Sequence, residues 1–332
     1  MMANLRKIIY ENNEAVILTR MNRLRGLFAI LIVLGHCGRR FDEEQILLAI
    51  PHYGAYIWVC FFLMISGWSM AYNYDNKESY LYQFGRRKIL KLCFLVLETE
   101  LVTKVVQVCF LKERIFVSLD LLADINWYIY EILALYVVFW VAYTVFKEDV
   151  WKRNFVILVF SLSIALVTWV MYRYGSWEGW TYAFYFSTLS FPLGIYIHTM
   201  WKSIMGHKDK IFVVCVLGAI MGVSCLLLPK ESLVGGLILH NFLGICAMLI
   251  LVLVIGFFDV NFRIVDYLTK NATYIYLYQF GVMSVMSSIY VYYDRPIDGL
   301  YVCTVVVLTI IIATLIRNLN MGLRKMIYMR KR

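Results

Sequence analysis

Charge is scarce in this chain. Only 16% of its 332 residues are Asp, Glu, Lys or Arg, while 62% are apolar. A water-soluble domain of this length needs more polar residues than that to cover its exterior, so a soluble globular fold is excluded. Proline is rare, at 4 residues, and no Ser- or Gly-rich tract breaks the chain, so neither linkers nor a second domain are expected. The 8 cysteines lack CxxC spacing and lie in or beside apolar runs. They read as small hydrophobes, with no disulfide framework and no metal site. Polar residues precede the first apolar run, and Leu34-Gly35-His36-Cys37 has no small residue directly before its cysteine, so no cleavable leader is expected.

What is present is a succession of apolar stretches of about 20 residues, the length needed to cross a bilayer as a helix. They cover 24–41, 53–72, 89–111, 127–146, 154–172, 181–199, 211–229, 235–258, 273–292 and 299–317. The expected fold is all-α: a polytopic integral membrane bundle of about ten transmembrane helices. Residues 1–22 form a cytoplasmic N-terminal segment, 23–318 the transmembrane domain and 319–332 a basic cytoplasmic tail. The 25 Tyr and 9 Trp fall often beside the apolar runs, as in interfacial belts.

Orientation follows from the basic residues. With the N-terminus in the cytoplasm, most of the 32 Lys and Arg fall on the inner side. Only Arg39, Arg40, Lys112, Arg114, Arg173, Lys230 and Arg295 fall outside, and Lys104 lies within a helix. This alternation places both termini inside. The net charge of +10 therefore reports topology and membrane lipid contact, and no nucleic acid partner is expected.

Ionisable groups inside spanning helices are costly and mark candidate sites. They are His36, Lys91, Glu98, Glu100, Lys104, Glu131, His198 and His240. His36 follows Arg25 by eleven residues, so it stands about 16 Å above it along a helix. If Arg25 marks the inner boundary, His36 sits near the middle of a hydrocarbon core about 30 Å thick. A histidine there can take and return a proton near neutral pH; a packing histidine bonded to a hydroxyl is the other reading. The apolar part of this segment is short, so either a polar outer vestibule lies above His36 or Arg39 and Arg40 snorkel outward.

Phe84-Gly-Arg-Arg-Lys-Ile-Leu-Lys91 forms a basic entrance to the third segment. Arg86 and Arg87 offer forked donors suited to phosphate oxygens, or anchor the loop on anionic lipid. Glu100 and Lys104 have the spacing of an intrahelical pair. Glu98 lies about 200° round the helix from Glu100, so the two do not easily share a partner. Glu131 follows Asn126-Trp-Tyr-Ile-Tyr130 and could orient His36, hold an acceptor hydroxyl, or stand as a hydrogen-bonded acid in the bundle. His52, His198, His207 and His240 read as structural or solvated.

Taken in order, several of these features resemble the membrane-bound acyltransferase 3 family. They are Arg25-x10-His36, Phe61-Phe-Leu-Met-Ile-Ser-Gly67, the basic stretch 84–91, Trp127-Tyr-Ile, Phe191-Pro-Leu-Gly194 and Leu268-Thr-Lys-Asn-Ala-Thr-Tyr-Ile-Tyr-Leu277. The resemblance implies O-acylation of glycans across the bacterial cytoplasmic membrane. It implies acyl-CoA, in the first instance acetyl-CoA, as a cytoplasmic donor, with Arg25, Arg86 and Arg87 on its phosphates and no metal. His36 would be the general base, with Glu131 beside it in catalysis, and the acceptor would be a glycan or lipid-linked glycan. The pattern departs at Gln279, where the family often has His, at Thr269 in place of Gly, and at Leu92 or Cys93 where a proline is common. Glu131 fits only loosely, because its spacing after Trp varies in the family. A transporter or flippase for a lipid-linked sugar would share the helices and buried charges. It would be expected to carry broken helices in matched halves, and the sequence shows no such pairing.

Overall fold

A computed structural model describes residues 13–38, 55–111, 127–174, 182–224, 233–258 and 260–329. In chain order the helices are α1 (Glu14–Gly38), α2 (Ala55–Asn76), α3 (Lys91–Leu111), α4 (Trp127–Val145) and α5 (Val150–Tyr174). There follow α6 (Tyr182–Ser187), α7 (Ser190–Thr199), α8 (Trp201–Gly206), α9 (Lys208–Ser224), α10 (His240–Ile255), α11 (Arg263–Tyr292) and α12 (Gly299–Met329). Wider π-helical turns, Gly85–Leu90 and Leu233–Leu239, lead into α3 and α10. No strand occurs among the described residues.

Helix makes up most of the described part of each of the ten apolar stretches, while Arg39 and Arg40 lie outside the described residues. Among the described residues, four helical stretches are long and apolar enough to cross a membrane: Tyr128–Val145, Val150–Tyr174, Leu233–Ile255 and Gly299–Leu323. Among the others, 181–199 is interrupted, and α1 and α3 carry ionisable residues. α1 bears Arg20, Arg23 and Arg25, and α3 bears Lys91, Glu98, Glu100 and Lys104. Apolar side chains face outward, as a lipid-facing helix requires: Trp151, Phe155, Phe160 and Leu166 of α5 are all exposed. An all-helical array of this kind satisfies backbone groups internally, which hydrocarbon demands.

Local chemistry sets the ends. Asn13 accepts the Ala15 N–H at 2.9 Å, Asp149 that of Lys152 at 2.9 Å, and Asp298 that of Tyr301 at 3.0 Å, capping α1, α5 and α12. Pro192 sits in the first turn of α7, where its missing N–H is tolerated. Because Pro192 cannot donate to the carbonyl of Thr188, Phe191 does so instead at 3.3 Å, and the helix is interrupted between α6 and α7.

The chain divides into two compact units. The first takes residues 13–22, 59–94 and the described part of 127–258. In it α2 and α7 cross closely: a Cβ on Gly194 would strike the Met64 carbonyl and one on Gly67 the Phe191 carbonyl. Small residues at a crossing let two backbones approach, which is how helices pack where apolar burial gives no advantage over lipid. The Gly67 and Gly194 motifs thus meet in one contact. Phe139 and Tyr143 stack at 4.0 Å, and Phe84 leans on Phe139 at 5.6 Å. The second unit takes residues 23–38, 55–58, 95–111 and 260–329. Its α11 and α12 form a hairpin tied by the Tyr301 hydroxyl to Ser287 at 2.9 Å.

Candidate functional site

The second unit holds Arg25 and His36. The stretch of α1 that carries them is pinned against α11 at its start. Gly26 lies so near the backbone of Leu268 and Thr269 that no side chain fits there. The Thr269 hydroxyl donates to the Arg23 carbonyl, and Arg23 pairs with Asp266 at 3.4 Å. Three turns on, the His36 ring meets Phe280 of α11 at 4.7 Å between centroids. The Arg25-x10-His36 and 268–277 motifs are therefore two sides of one helix contact.

Both residues are half-buried. The Nε of Arg25 is sealed from solvent and has no hydrogen-bond partner among the described residues. A buried donor without a partner costs stability and invites a ligand that accepts from it. Gln279, beside Phe280, donates to the Tyr276 carbonyl at 2.9 Å, while its Oε1 is sealed without a described partner. Glu98 is held in place: Asn320 donates to its two oxygens at 2.8 and 2.9 Å, and the Tyr278 hydroxyl reaches it at 3.4 Å.

The first unit holds Arg86, Arg87 and Glu131. Arg86 and Arg87 are exposed on the π-helical turn before α3. Arg87 lines a cavity of 410 Å³ with Lys77, Tyr80 and Lys88. A second cavity of 740 Å³ adjoins it, walled by Tyr74, Tyr82, Trp140 and Lys147. Arg86 lines neither.

Glu131 is 1% exposed. Its Oε1 accepts from the Thr188 hydroxyl at 2.6 Å, and its Oε2 is sealed with no partner among the described residues. It thereby reaches the interruption between α6 and α7. Asn241 serves the same gap, donating to the carbonyls of Tyr185 and Leu237 and accepting the Leu189 N–H at 3.3 Å. His240 stacks on Phe186 at 4.0 Å and meets the Gly235 carbonyl at 2.6 Å, a structural histidine.

Sequence reasoning did not find the role of His198, which bridges Glu14 and Asp75, nor that of Asn241. Neither stands in a recognisable motif, and each has partners more than fifty residues distant. His52 lies outside the described residues.

A family model described as an acyltransferase domain matches residues 18–318. No curated protein and no solved structure matches the chain. The match runs from the first turns of α1 into α12, taking in Arg25, His36, the basic entrance and the α11 motif, and this chain belongs to the acyltransferase 3 family.

Proposed function

We propose that this chain is a membrane O-acyltransferase. It takes an acyl group, in the simplest case acetyl, from cytoplasmic acyl-CoA and passes it to a hydroxyl of an extracytoplasmic or lipid-linked glycan. The carrying observation is the segment of α1 from Arg25 to His36. A cation with a sealed, unpartnered Nε stands about 16 Å below a half-buried imidazole, on one unbroken helix. In this reading ten helices cross the bacterial cytoplasmic membrane with both termini inside, as the distribution of Lys and Arg supports.

His36 takes the proton of the acceptor hydroxyl as that oxygen attacks the thioester carbonyl. The new C–O bond forms and the C–S bond breaks. The CoA sulfur leaves, and the proton held by the imidazole neutralises it. Arg25, Arg86 and Arg87 are each assigned to donor phosphates, which suit forked guanidinium donors. Glu131 is assigned to the acceptor hydroxyl.

The test is transfer from labelled acetyl-CoA by the purified protein, with mass spectrometry of surface glycans from cells carrying each variant. His36→Ala is expected to abolish transfer while the protein still inserts and elutes as the native form does. Transfer at the native rate would remove His36 from the role of base. A transporter or flippase is the second reading, favoured by the interrupted α6–α7 helix, a feature common at transporter binding sites. It requires movement of a lipid-linked sugar across vesicles in the absence of acyl-CoA.

A further inference from the structure

The two cavities of the first unit share a lip made by Lys77, Glu78, Ser79 and Tyr80. Ser79 has φ 53°, left-handed backbone that a serine adopts only under constraint. The Tyr80 hydroxyl on the same lip is sealed from water and has no partner among the described residues. An unsatisfied hydroxyl and a strained residue together at a cavity edge mark a place where a ligand completes the structure.

The two halves differ in chemistry. The smaller carries cations, Lys77, Arg87 and Lys88, which suit phosphate. The larger presents aromatic faces. Those of Tyr74 and Tyr143 are taken by the Arg153 guanidinium, 4.9 and 4.3 Å above their centroids. Those of Tyr82, 87% exposed, and Trp140, 39% exposed, are open to a partner. Asp75 on this wall is paired with Arg153 at 3.6 Å and His198 at 2.9 Å, which leaves Glu78 as the carboxylate to meet an exocyclic amine. Phosphate on one side of a lip and a flat amine-bearing ring on the other describe a nucleotide. A phospholipid headgroup would fill the cationic half and leave the aromatic half unused.

We propose that this joined cleft is a nucleotide subsite that takes the adenosine 3′,5′-bisphosphate end of the donor, an assignment resting on the acyl-CoA reading above. The base stacks on Tyr82 and Trp140, its amine meets Glu78, and the phosphates meet Lys77 and Arg87. Each half, at 740 and 410 Å³, falls within the range of small-molecule sites, about 300–1,000 Å³.

The test uses the full-length protein in lipid nanodiscs, with acetyl-CoA and free adenosine 3′,5′-bisphosphate as probes. The bisphosphate is expected to displace acetyl-CoA. Tyr82→Ala and Trp140→Ala are each expected to weaken bisphosphate binding about tenfold, the scale of one lost base–ring stack, and Tyr82→Phe and Trp140→Phe to restore it. These side chains are exposed, and native thermal unfolding of the variants checks their folding. If acetyl-CoA binds but the bisphosphate does not displace it, or the alanine variants bind as tightly as native, the subsite is overturned and the acyl-CoA reading stands. If the bisphosphate binds but acetyl-CoA does not, the acyl-CoA reading fails while the nucleotide cleft stands. Binding of neither overturns both. Displacement of the bisphosphate by phosphatidylglycerol in place of phosphatidylcholine assigns the cleft to lipid and overturns the subsite.

Discussion

His198 and Asp75 face each other across 2.9 Å, imidazole Nε2 to carboxylate Oδ2, and that contact is one link in a longer chain. The Nδ1 of the same ring meets Glu14 at 2.7 Å, and Glu14 also accepts the Trp68 indole N–H at 2.7 Å. Asp75 goes on to Arg153 at 3.6 Å. Ionised carboxylates only accept, so an imidazole between two of them donates from both nitrogens, which only the protonated ring does. The start of α1, the end of α2, the end of α7 and the start of α5 are joined by alternating charges. His198→Gln is expected to lower stability by roughly 1–3 kcal/mol, the cost of leaving polar partners unpaired. The readout is the thermal unfolding midpoint in detergent, and an unshifted midpoint would show the chain to be ornamental.

Glycine positions offer a matched pair. At Gly194 an added methyl would strike the Met64 carbonyl and the Trp68 backbone, whereas at Gly206 nothing lies within reach. Gly194→Ala is expected to destabilise by roughly 1–3 kcal/mol through overpacking, and Gly206→Ala to stay within about 0.5 kcal/mol of native. The two variants are compared by unfolding in the same detergent. Equal midpoints would mean that α2 and α7 do not cross so closely.

Arg25 separates charge from geometry. Lysine keeps the positive charge but loses the planar fork, and glutamine loses both. The donor reading predicts acyl-CoA affinity falling in the order native, Arg25→Lys, Arg25→Gln, with the last weaker by about tenfold or more, the scale of one charge-assisted hydrogen bond. Titration calorimetry or radioligand binding reads this directly. Native affinity in Arg25→Gln would reduce Arg25 to a topological anchor.

Glu131 is tested by two substitutions with different consequences. Glutamine keeps an oxygen to accept from Thr188, while alanine strips that partner and opens a cavity. Glu131→Gln is expected to unfold as native does yet lose transfer by about tenfold to a hundredfold, the scale of one charged hydrogen bond to the acceptor. Glu131→Ala is expected to lose both. Full activity in Glu131→Gln would make the carboxyl a packing group at the interrupted helix.

Much of this is legible in the sequence. The apolar stretches locate the helices because a helix long enough to cross hydrocarbon must be apolar over about 20 residues. The spacing of Arg25 and His36 is legible for a similar reason: rise per residue is constant, so sequence distance along one helix is spatial distance. The break before Pro192 was harder to see, since proline in a first turn usually continues a helix without consequence. It shows itself only once Thr188, Glu131 and Asn241 are found together around it.

Composition and periodicity alone determine that this chain is a helical membrane protein and that α1 carries a cation and an imidazole three turns apart. Tertiary structure alone decides that Gly26 lies against Leu268 and Thr269, that His36 meets Phe280, and that His198 joins Glu14 to Asp75. The first set depends on local rise and on the transfer of side chains from water to lipid, which each residue carries with it. The second depends on which helices become neighbours. That choice rests on close packing between residues up to about two hundred and fifty positions apart, for which a single chain of letters holds no periodic trace.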